Sequence, residues 1–210
     1  MTSPRPRRSP TPQERQRDPE RTRQRILEAA AAEFAEHGYA GARTRGIATR
    51  AGVNQQLVSY YFGGKEGLYR AMSEQWQQRR GELSPPGTPL PEQLRGYALE
   101  ALRNPAGFRM FAWSGLQYTG PHDDPDREAR SRMLGDSVTK LRALQDDGRL
   151  PPELDPVCLQ IMLMAACMAP TTLPHVIEGL CGVDPRSPEF IEHFADQVAL
   201  LARVIGLEEN

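Results

Sequence analysis

The chain has 210 residues, of which 39% are hydrophobic and 25% charged, and its formal net charge is -1. This length accommodates one large domain or two small ones. The basic N-terminus is not followed by a hydrophobic run, and the most apolar segment, residues 157–170, is too short to span a bilayer. We therefore expect a cytoplasmic protein without a secretory signal or membrane contact.

The net charge conceals a division between two parts of the chain. Residues 1–80 contain 15 Arg or Lys against 8 Asp or Glu, a balance of +7, whereas residues 81–210 contain 11 against 19, a balance of -8. The first part therefore suits a polyanionic partner. Its first 17 residues are rich in Pro, Arg, Ser and Gln, and we predict that they form a disordered basic arm.

The first predicted helix runs from Asp18-Pro19 to His37, where Gly38 ends it. A capping residue followed by proline at the first helical position is a common helix start. Four apolar residues lie on one face at the spacing of an amphipathic helix, namely Ile26, Ala30, Phe34 and Ala35.

Two short helices are predicted next, at residues 44–51 and 55–61, joined by the Ala51-Gly52-Val53 turn and with Asn54 as the N-cap of the second. Helices this short do not bury enough surface to be stable alone. Two of them packed at a steep angle are stable, and they leave one polar face free to enter a DNA groove. This segment therefore predicts a helix-turn-helix.

A longer helix, residues 65–80, follows the Gly63-Gly64 break, and the Pro/Gly-rich residues 84–91 form a loop. No alternating pattern bounded by hairpin turns is present, so we predict an all-α fold of about nine helices. Residues 18–64 form the helix-turn-helix domain, and residues 65–210, with 65–80 as connecting helix, form the second domain. Its helix starts are Leu90-Pro91, Asn104-Pro105, Asp124-Pro125, Asp155-Pro156 and Ser187-Pro188.

Residues 20–76 resemble the DNA-binding domain of the TetR family of bacterial transcriptional regulators. The resemblance rests on F-x-x-x-G-Y at residues 34–39, I-A-x-x-A-G-V at residues 47–53 and Y-Y-F-x-x-K-E-x-L at residues 60–68. Gly46 departs from the family pattern, where an acidic or polar residue is common, and Gly64 stands where Ser often caps the fourth helix.

Residues at the start of the third helix are the candidates for base recognition. Gln and Asn carry paired donor and acceptor atoms that match the adenine edge in the major groove. We expect Gln55 and Gln56 to read bases and Leu57 to touch a thymine methyl group. Asn54 and Ser59 lie on the same exposed part of the helix and complete the candidate set.

The resemblance also implies contacts to DNA phosphates, which position the protein without reading sequence. Taken alone, the Tyr60-Tyr61-Phe62 run would more often be a core cluster, and we expect Phe62 and Val58 to pack inward. The arginine-rich arm either enters an adjacent minor groove or remains a solvated tail. The expected phosphate contacts are Thr44, Arg45, Tyr60, Tyr61 and Lys65, and the arm arginines are Arg5, Arg7, Arg8, Arg15, Arg17, Arg21 and Arg23.

The resemblance implies a ligand cavity among the middle helices, and such cavities are mostly apolar with a few orienting polar groups. For each candidate, ordinary core packing is the alternative. The candidates favour an apolar or aromatic effector, and they are Met72, Trp76, Phe111, Trp113, Gln117, Met164 and Met168.

The last two predicted helices, residues 155–180 and 187–205, pack in TetR-like proteins against a symmetry mate as a four-helix bundle. Pro170 and Pro174 should kink or interrupt the first of them. A dimer also follows from mechanism, since two reading helices must reach major grooves about 34 Å apart on a palindromic operator. The expected interface residues are Phe190, Phe194, Val198 and Leu201.

Signals for catalysis or metal binding are missing from the sequence. Gly63-Gly64-Lys65 lacks the Walker spacing, because Ser59 stands where a glycine is needed. No GxSxG, HExxH, CxxC or paired-carboxylate pattern occurs, so we predict no enzyme activity, cofactor or metal. Cys158, Cys167 and Cys181 are interpreted as buried structural thiols, with a redox-sensing pair as the alternative.

These observations together predict a homodimeric DNA-binding regulator, a repressor released from its operator by a small apolar or aromatic ligand. Two alternatives remain at this stage. One is an activator or architectural DNA-binding protein without a small-molecule effector. The other is an enzyme that carries a helix-turn-helix. A second-domain cavity filled by the protein's own side chains would favour the first alternative.

Overall fold

The computed structural model describes residues 12–124 and 126–207, and these residues form helices without strands, which confirms the all-α prediction. Ten α-helices occur there instead of about nine, because the segment expected as one helix at residues 155–180 is divided before Pro174. Pro125, predicted to begin the seventh helix, lies outside the described residues. The helices are α1 Pro12–Gly41, α2 Thr44–Ala51, α3 Gln55–Phe62, α4 Lys65–Leu83, α5 Leu90–Arg103, α6 Pro105–Leu116, α7 Arg127–Asp146, α8 Pro156–Thr172, α9 Pro174–Cys181 and α10 Pro188–Val204, with a 3-10 turn at Pro121–Asp123.

The start of α1 differs from its prediction. The helix begins at Pro12 and continues through Pro19, so residues 12–17 are helical where disorder was predicted. Thr11-Pro12 offers the same start signal as Asp18-Pro19. The fixed φ of proline is compatible with a helix, which passes through Pro19 at the loss of one backbone hydrogen bond. Residues 1–11, including Arg5, Arg7 and Arg8, lie outside the described residues.

The regular part of α1 ends at Gly38, as predicted. Gly38 has φ +66°, a left-handed conformation that favours glycine. A Cβ atom at this position would lie 2.6 Å from the side-chain amide of Gln117, the residue that follows α6. The backbone conformation therefore favours glycine at the bend, and the absence of a side chain leaves room for the Gln117 amide.

Three of the predicted helix caps are formed by side chains. Asn54, Asp155 and Ser187 accept hydrogen bonds from the backbone N–H groups two or three residues further on, at 2.9, 2.8 and 3.3 Å. Asn104 instead donates its side-chain amide to Glu100 Oε1 at 3.2 Å, and no side-chain cap bond forms at the start of α6.

Two main hydrophobic cores hold the chain together, with a smaller cluster between them. The first joins α1, α2, α3 and the start of α4, and Met110 of α6 also packs into it; we call this part the head. The second core joins α5, α7, α8 and α10, and α5 packs most extensively against α10. The smaller cluster contains Ala101, Phe108 and Met168, with Trp76, Phe111 and Met164 packed around them.

Candidate DNA-binding surface and ligand cavity

The recognition-helix candidate α3 has one anchored face and one open face. Val58 is 0% exposed, and Leu57, Tyr61 and Phe62 pack partly buried against the head core. A short helix held in this way presents its polar side for entry into a major groove. The side chains on the open face are Gln55, Gln56, Ser59 and Tyr60.

Two of the predicted base-reading residues, Asn54 and Leu57, also have roles within the head. The side-chain oxygen of Asn54 accepts the N–H of Gln56 at 2.9 Å and so begins α3. Leu57 is half-buried against the head core, because it lies on the same side of the helix as Tyr61. The base-reading candidates on the open face are therefore Gln55, Gln56 and Ser59.

Gln55 and Thr44 lie close together although the sequence assigns them different roles. Gln55 Nε2 donates to Thr44 Oγ1 at 3.0 Å and links the starts of α2 and α3. The bond leaves the Gln55 carbonyl oxygen as an acceptor and fixes the direction of its side chain. A fixed side chain loses less conformational entropy when it binds a base edge.

Lys65, predicted to contact phosphate, is engaged within the head. Its ammonium donates to the carbonyl oxygens of Tyr39 at 2.9 Å and Ala42 at 3.3 Å, and it lies 4.6 Å from the centre of the Tyr39 ring. Carbonyls at a helix end attract cations because they lack intrahelical partners. Lys65 therefore stabilises the segment between α1 and α2, and its contact to phosphate stays a prediction.

Gly46 departs from the family pattern for a structural reason. A Cβ atom there would lie 2.6 Å from Glu33 Oε1. Glu33 is only 5% exposed, and it accepts the N–H of Arg43 at 3.3 Å and pairs with Arg50 Nε at 3.5 Å. The missing side chain at position 46 thus makes room for a buried carboxylate that fixes the start of α2.

We call the exposed side of α3 together with the start of α2 the reading surface. Two arginines of α1 support this surface from behind, and the sequence did not predict their structural role. Arg25 donates through Nη2 to the carbonyl of Ala51 at the end of α2. Arg23, predicted to belong to the DNA-contacting arm, has its guanidinium carbon 5.2 Å from the centre of the Phe62 ring. Such contacts join residues far apart in the chain, so local spacing gives no signal for them.

The second domain is fastened to the head through α6, which packs against α1 more extensively than α4 does. Trp113 Nε1 donates to the carbonyl of Ala35 at 3.2 Å. The Gln117 amide accepts the N–H of Ala40 at 3.1 Å and donates to the carbonyl of His37 at 3.3 Å, on both sides of the Gly38 bend. Trp113 and Gln117, predicted to line the ligand cavity, thus form the junction with the head.

A cavity of about 740 Å³ lies between α4, α5, α6, α7 and α8. Its volume falls within the range of about 300–1,000 Å³ that small-molecule sites occupy. Of the predicted pocket residues, Met72 lies elsewhere, because it is buried in the head core. The predicted residues that do line the cavity are Trp76, Phe111, Met164 and Met168.

A polar cluster joins α4 to the start of α7 beside this cavity. Burial, reinforced by Asp126 and Asp124, raises the pKa of Tyr69 to about 12. Burial also raises the pKa of Asp126, although a hydrogen bond from Ser73 favours its charged form. Arg130 forms an ion pair with Asp124. The cluster holds α7 against the helix that leaves the head.

The predicted dimer residues of α10 differ in how deeply they are buried. Val198 is only 4% exposed and belongs to the second core, because it faces α5. Phe194 packs partly buried against the same core, and Phe190 stacks on it with ring centroids 5.9 Å apart. Leu201 is 48% exposed. Further apolar side chains exposed on these helices are Val157, Ile161 and Met162 of α8 and Leu200 and Val204 of α10.

The three cysteines are free and differ in environment. Cys167 is buried, and burial raises the pKa of its thiol to about 12. Cys158 and Cys181 are exposed, so the interpretation of all three as buried thiols is wrong for these two. They lie near the start of α8 and at the end of α9.

Residues 12–124 and 126–207 contain no group of three or more His, Cys, Asp or Glu side chains arranged to hold a metal ion. No single helix in these ranges has the length and hydropathy needed to cross a membrane. Only α8 and α9 taken together, across a 77° bend, reach that length and composition.

The fold and the reading surface define a helix-turn-helix transcriptional regulator with a separate helical domain. Residues 26–72 match the family model described as bacterial regulatory proteins, tetR family, and residues 93–187 match the tetracyclin repressor-like C-terminal domain. The chain belongs to the TetR family of DNA-binding transcriptional regulators.

Similar proteins agree with this assignment. The HTH-type transcriptional repressor SCO4008 of Streptomyces coelicolor is 31% identical over 170 residues, which cover 79% of this chain and 86% of that protein. The transcriptional repressor NicS of Pseudomonas putida is 27% identical over 177 residues, covering 79% and 82%. The crystal structure of SCO4942 from Streptomyces coelicolor aligns with a TM-score of 0.67 at 27% identity, covering 86% of this chain and 97% of that one.

Proposed function

We propose that the chain is a homodimeric repressor that occupies a palindromic operator and leaves it when a small, mainly apolar ligand enters the second domain. The proposal rests on the two sides of α3. Val58 is fully buried in the head core, while Gln55, Gln56 and Ser59 are exposed on the other side. The excess of 15 basic over 8 acidic residues in the first 80 positions supplies the attraction to DNA.

The roles within the reading surface follow from exposure and from existing partners. Gln55 and Gln56 read base edges in the major groove. Tyr60, which is 80% exposed, and Arg45, which is exposed at the start of α2, contact phosphates. Thr44 and Tyr61 lie beside them as further phosphate contacts, and Lys65 positions the loop between α1 and α2.

The homodimer is proposed to form through the outward face of α8 and α10. Leu201 and Val204 of α10 and Ile161 and Met162 of α8 are exposed, and large exposed apolar patches mark protein interfaces. Val198 takes no part because it packs in the second core. A two-fold arrangement brings two α3 helices to major grooves about 34 Å apart.

Ligand response is proposed to travel through two helices that line the cavity and also contact the head. Trp76 lies on α4, which starts in the head core. Phe111 lies on α6, and Trp113 of this helix and Gln117 at its end bind the end of α1. A ligand that separates these helices tilts the head relative to its partner. Linkage then requires DNA and ligand to weaken each other's binding by the same factor. A cavity of about 740 Å³ favours this reading over a regulator without an effector.

The experiment begins with selection of DNA fragments bound by the full chain, followed by affinity measurements on the selected operator. We expect the Gln55→Ala, Gln56→Ala double variant to lose about 100-fold or more in operator affinity, because a good bidentate base contact contributes about 1–3 kcal/mol. Affinity for unrelated DNA stays unchanged. The matched control, Gln75→Ala with Gln78→Ala on the exposed side of α4, keeps both affinities.

An Arg45→Ala variant separates phosphate contacts from base contacts. It should weaken binding to all DNA sequences alike and reduce the salt slope by about one. Full operator discrimination in the double glutamine variant would contradict the base-reading assignment, and an unchanged salt slope would remove Arg45 from the phosphate contacts. A compound screen for operator release, using wild type, then tests the ligand-responsive part.

A further inference from the structure

The cavity of the second domain combines an apolar wall with cationic side chains. Trp76 and Phe108 meet edge to face with ring centroids 4.7 Å apart, and Phe111, Met164 and Met168 extend the same wall. Arg80, Arg132 and Lys140 also line the cavity, against Asp136 as the acidic lining residue. This balance reverses that of residues 81–210, where acidic residues outnumber basic ones by 19 to 11.

Arg80 differs from its neighbour Arg79 in its partners. Arg79 donates to Glu100 through Nε and Nη2, both at 3.0 Å, and to Glu82 at 3.1 Å. Arg80 is half-buried and has a 3.4 Å contact from Nε to the Tyr97 hydroxyl, with its guanidinium carbon 5.8 Å from the centre of the Tyr97 ring. Within the described parts of the chain, no carboxylate forms an ion pair with Arg80.

A guanidinium that faces a cavity without a carboxylate partner is a ready site for an anion. Its planar fork matches a carboxylate or another oxyanion through two parallel hydrogen bonds. The Tyr97 hydroxyl beside it is a further donor within the same wall. Arg132 and Lys140, exposed at the rim on α7, add positive potential that steers an anion inward.

We propose that the effector cavity takes an amphipathic monoanion, with the anionic head on Arg80 and Tyr97 and the apolar body against Trp76 and Phe111. This inference rests on the proposed ligand response and specifies the chemistry of its ligand. Because α4 carries both Arg80 and Trp76, the anionic group and the apolar body of such a ligand both contact α4, the helix that leaves the DNA-binding part of the protein.

The test measures binding to the purified full chain without DNA, by titration calorimetry and tryptophan fluorescence. The probes are decanoate and 2-naphthoate, compared with 1-decanol, 2-naphthamide and decylammonium. We expect at least one carboxylate to bind about tenfold or more tightly than its neutral counterpart, because charge-assisted hydrogen bonds are the stronger ones. Decylammonium should bind weakest.

Variants locate the contact. Arg80→Met, which keeps an unbranched apolar stem but removes the guanidinium, should abolish the preference for the carboxylate, and Arg80→Lys should retain most of it. Arg70→Met is the matched control, an exposed arginine of α4 that does not line the cavity. If Arg80→Met does not fold, Arg80→Gln takes its place. The affinities of the five probes for the wild-type protein then still show whether the cavity prefers an anion.

The outcomes separate this inference from the proposed function. No measurable binding of either carboxylate, or equal affinity for neutral and anionic probes, overturns the anion site even if other compounds release DNA. Arg80→Met with an unchanged carboxylate preference also overturns it. Loss of the carboxylate preference in Arg80→Met supports the anion site. If the wild-type protein binds the carboxylate but stays on its operator, the anion site stands and the proposed release mechanism fails.

Discussion

The head and the second domain differ in how far apart in sequence their core residues lie. Ile26, Ile47, Val58 and Leu68 of the head are separated by short segments with strong turn signals. The second core brings Leu94 of α5 against Ala195 and Val198 of α10, across half the chain. When core residues lie close together in sequence, local patterns predict which side chains remain exposed. In the second domain, exposure depends on which distant helices pack together, so local patterns do not predict it.

The largest expected effect on stability comes from comparing a buried and an exposed position of α10. Val198→Asp should destabilise the fold by about 4 kcal/mol or more, because it buries an unpaired carboxylate in the second core. Leu201→Asp should cost the monomer less than about 1 kcal/mol and instead weaken the proposed dimer. Thermal unfolding measures the first effect and sedimentation equilibrium the second. A Leu201→Asp protein that dimerises as wild type does would place the interface elsewhere.

The next effect tests how closely α3 and α4 pack in the head. A Cβ atom at Gly67 would lie 1.7 Å from the carbonyl oxygen of Phe62, so Gly67→Ala should destabilise the head by about 3 kcal/mol. Gly81→Ala is the control on the same helix, where nothing lies within 4 Å. It should stabilise by about 0.5–1 kcal/mol through helix propensity. Denaturant unfolding of both proteins gives the difference, and similar stabilities would disprove the close approach.

A smaller effect compares two carboxylates that share Arg50. Glu33→Gln should destabilise the head by about 1–2 kcal/mol, since the charge on a buried acceptor of the Arg43 N–H is lost. Glu36→Gln removes an exposed partner of Arg50 and should cost less than about 0.5 kcal/mol. Equal losses in chemical denaturation would show that burial of Glu33 contributes nothing.

The last prediction needs no substitution and compares the chemical reactivity of the three cysteine thiols. Cys158 and Cys181 should react with a maleimide at pH 8 while Cys167 does not, because its pKa of about 12 keeps the thiol protonated and its side chain is buried. Labelling of Cys167 should appear when the second domain is unfolded in denaturant. Mass spectrometry of labelled peptides distinguishes the sites. Rapid modification of Cys167 at pH 8 would mean that the second core opens readily.

The sequence predicts the helix-turn-helix almost residue by residue. α2 occupies the predicted residues 44–51, and α3 extends the prediction by one residue, to Phe62. These boundaries depend on local chemistry, such as the Asn54 cap and the left-handed Gly52. Tertiary partners are a different matter, because the three carbonyls around Lys65 come from residues near the end of α1 and no spacing rule indicates them.

In the second domain, composition predicts which residues are apolar but not what they face. Trp113 is as aromatic as Trp76, yet one donates to α1 and the other lines the cavity. Val198 and Leu201 share the periodic stripe of α10, yet Val198 is buried in the second core whereas Leu201 is 48% exposed, and the stripe alone does not predict where the cover from neighbouring helices ends. Arg80 and Arg79 are adjacent in sequence, and only the position of Glu100 separates a paired arginine from a cavity arginine.

The insertion of α6 into the head limits how the protein can be divided. Met110 completes the head core, and Gln117 braces both sides of the bend at Gly38. A fragment that ends after α4 would lose both and leave the α1 surface beneath them open to water. The reading head is therefore not a detachable module that could be grafted onto another sensor at residue 83; a functional chimera must carry α6 with it.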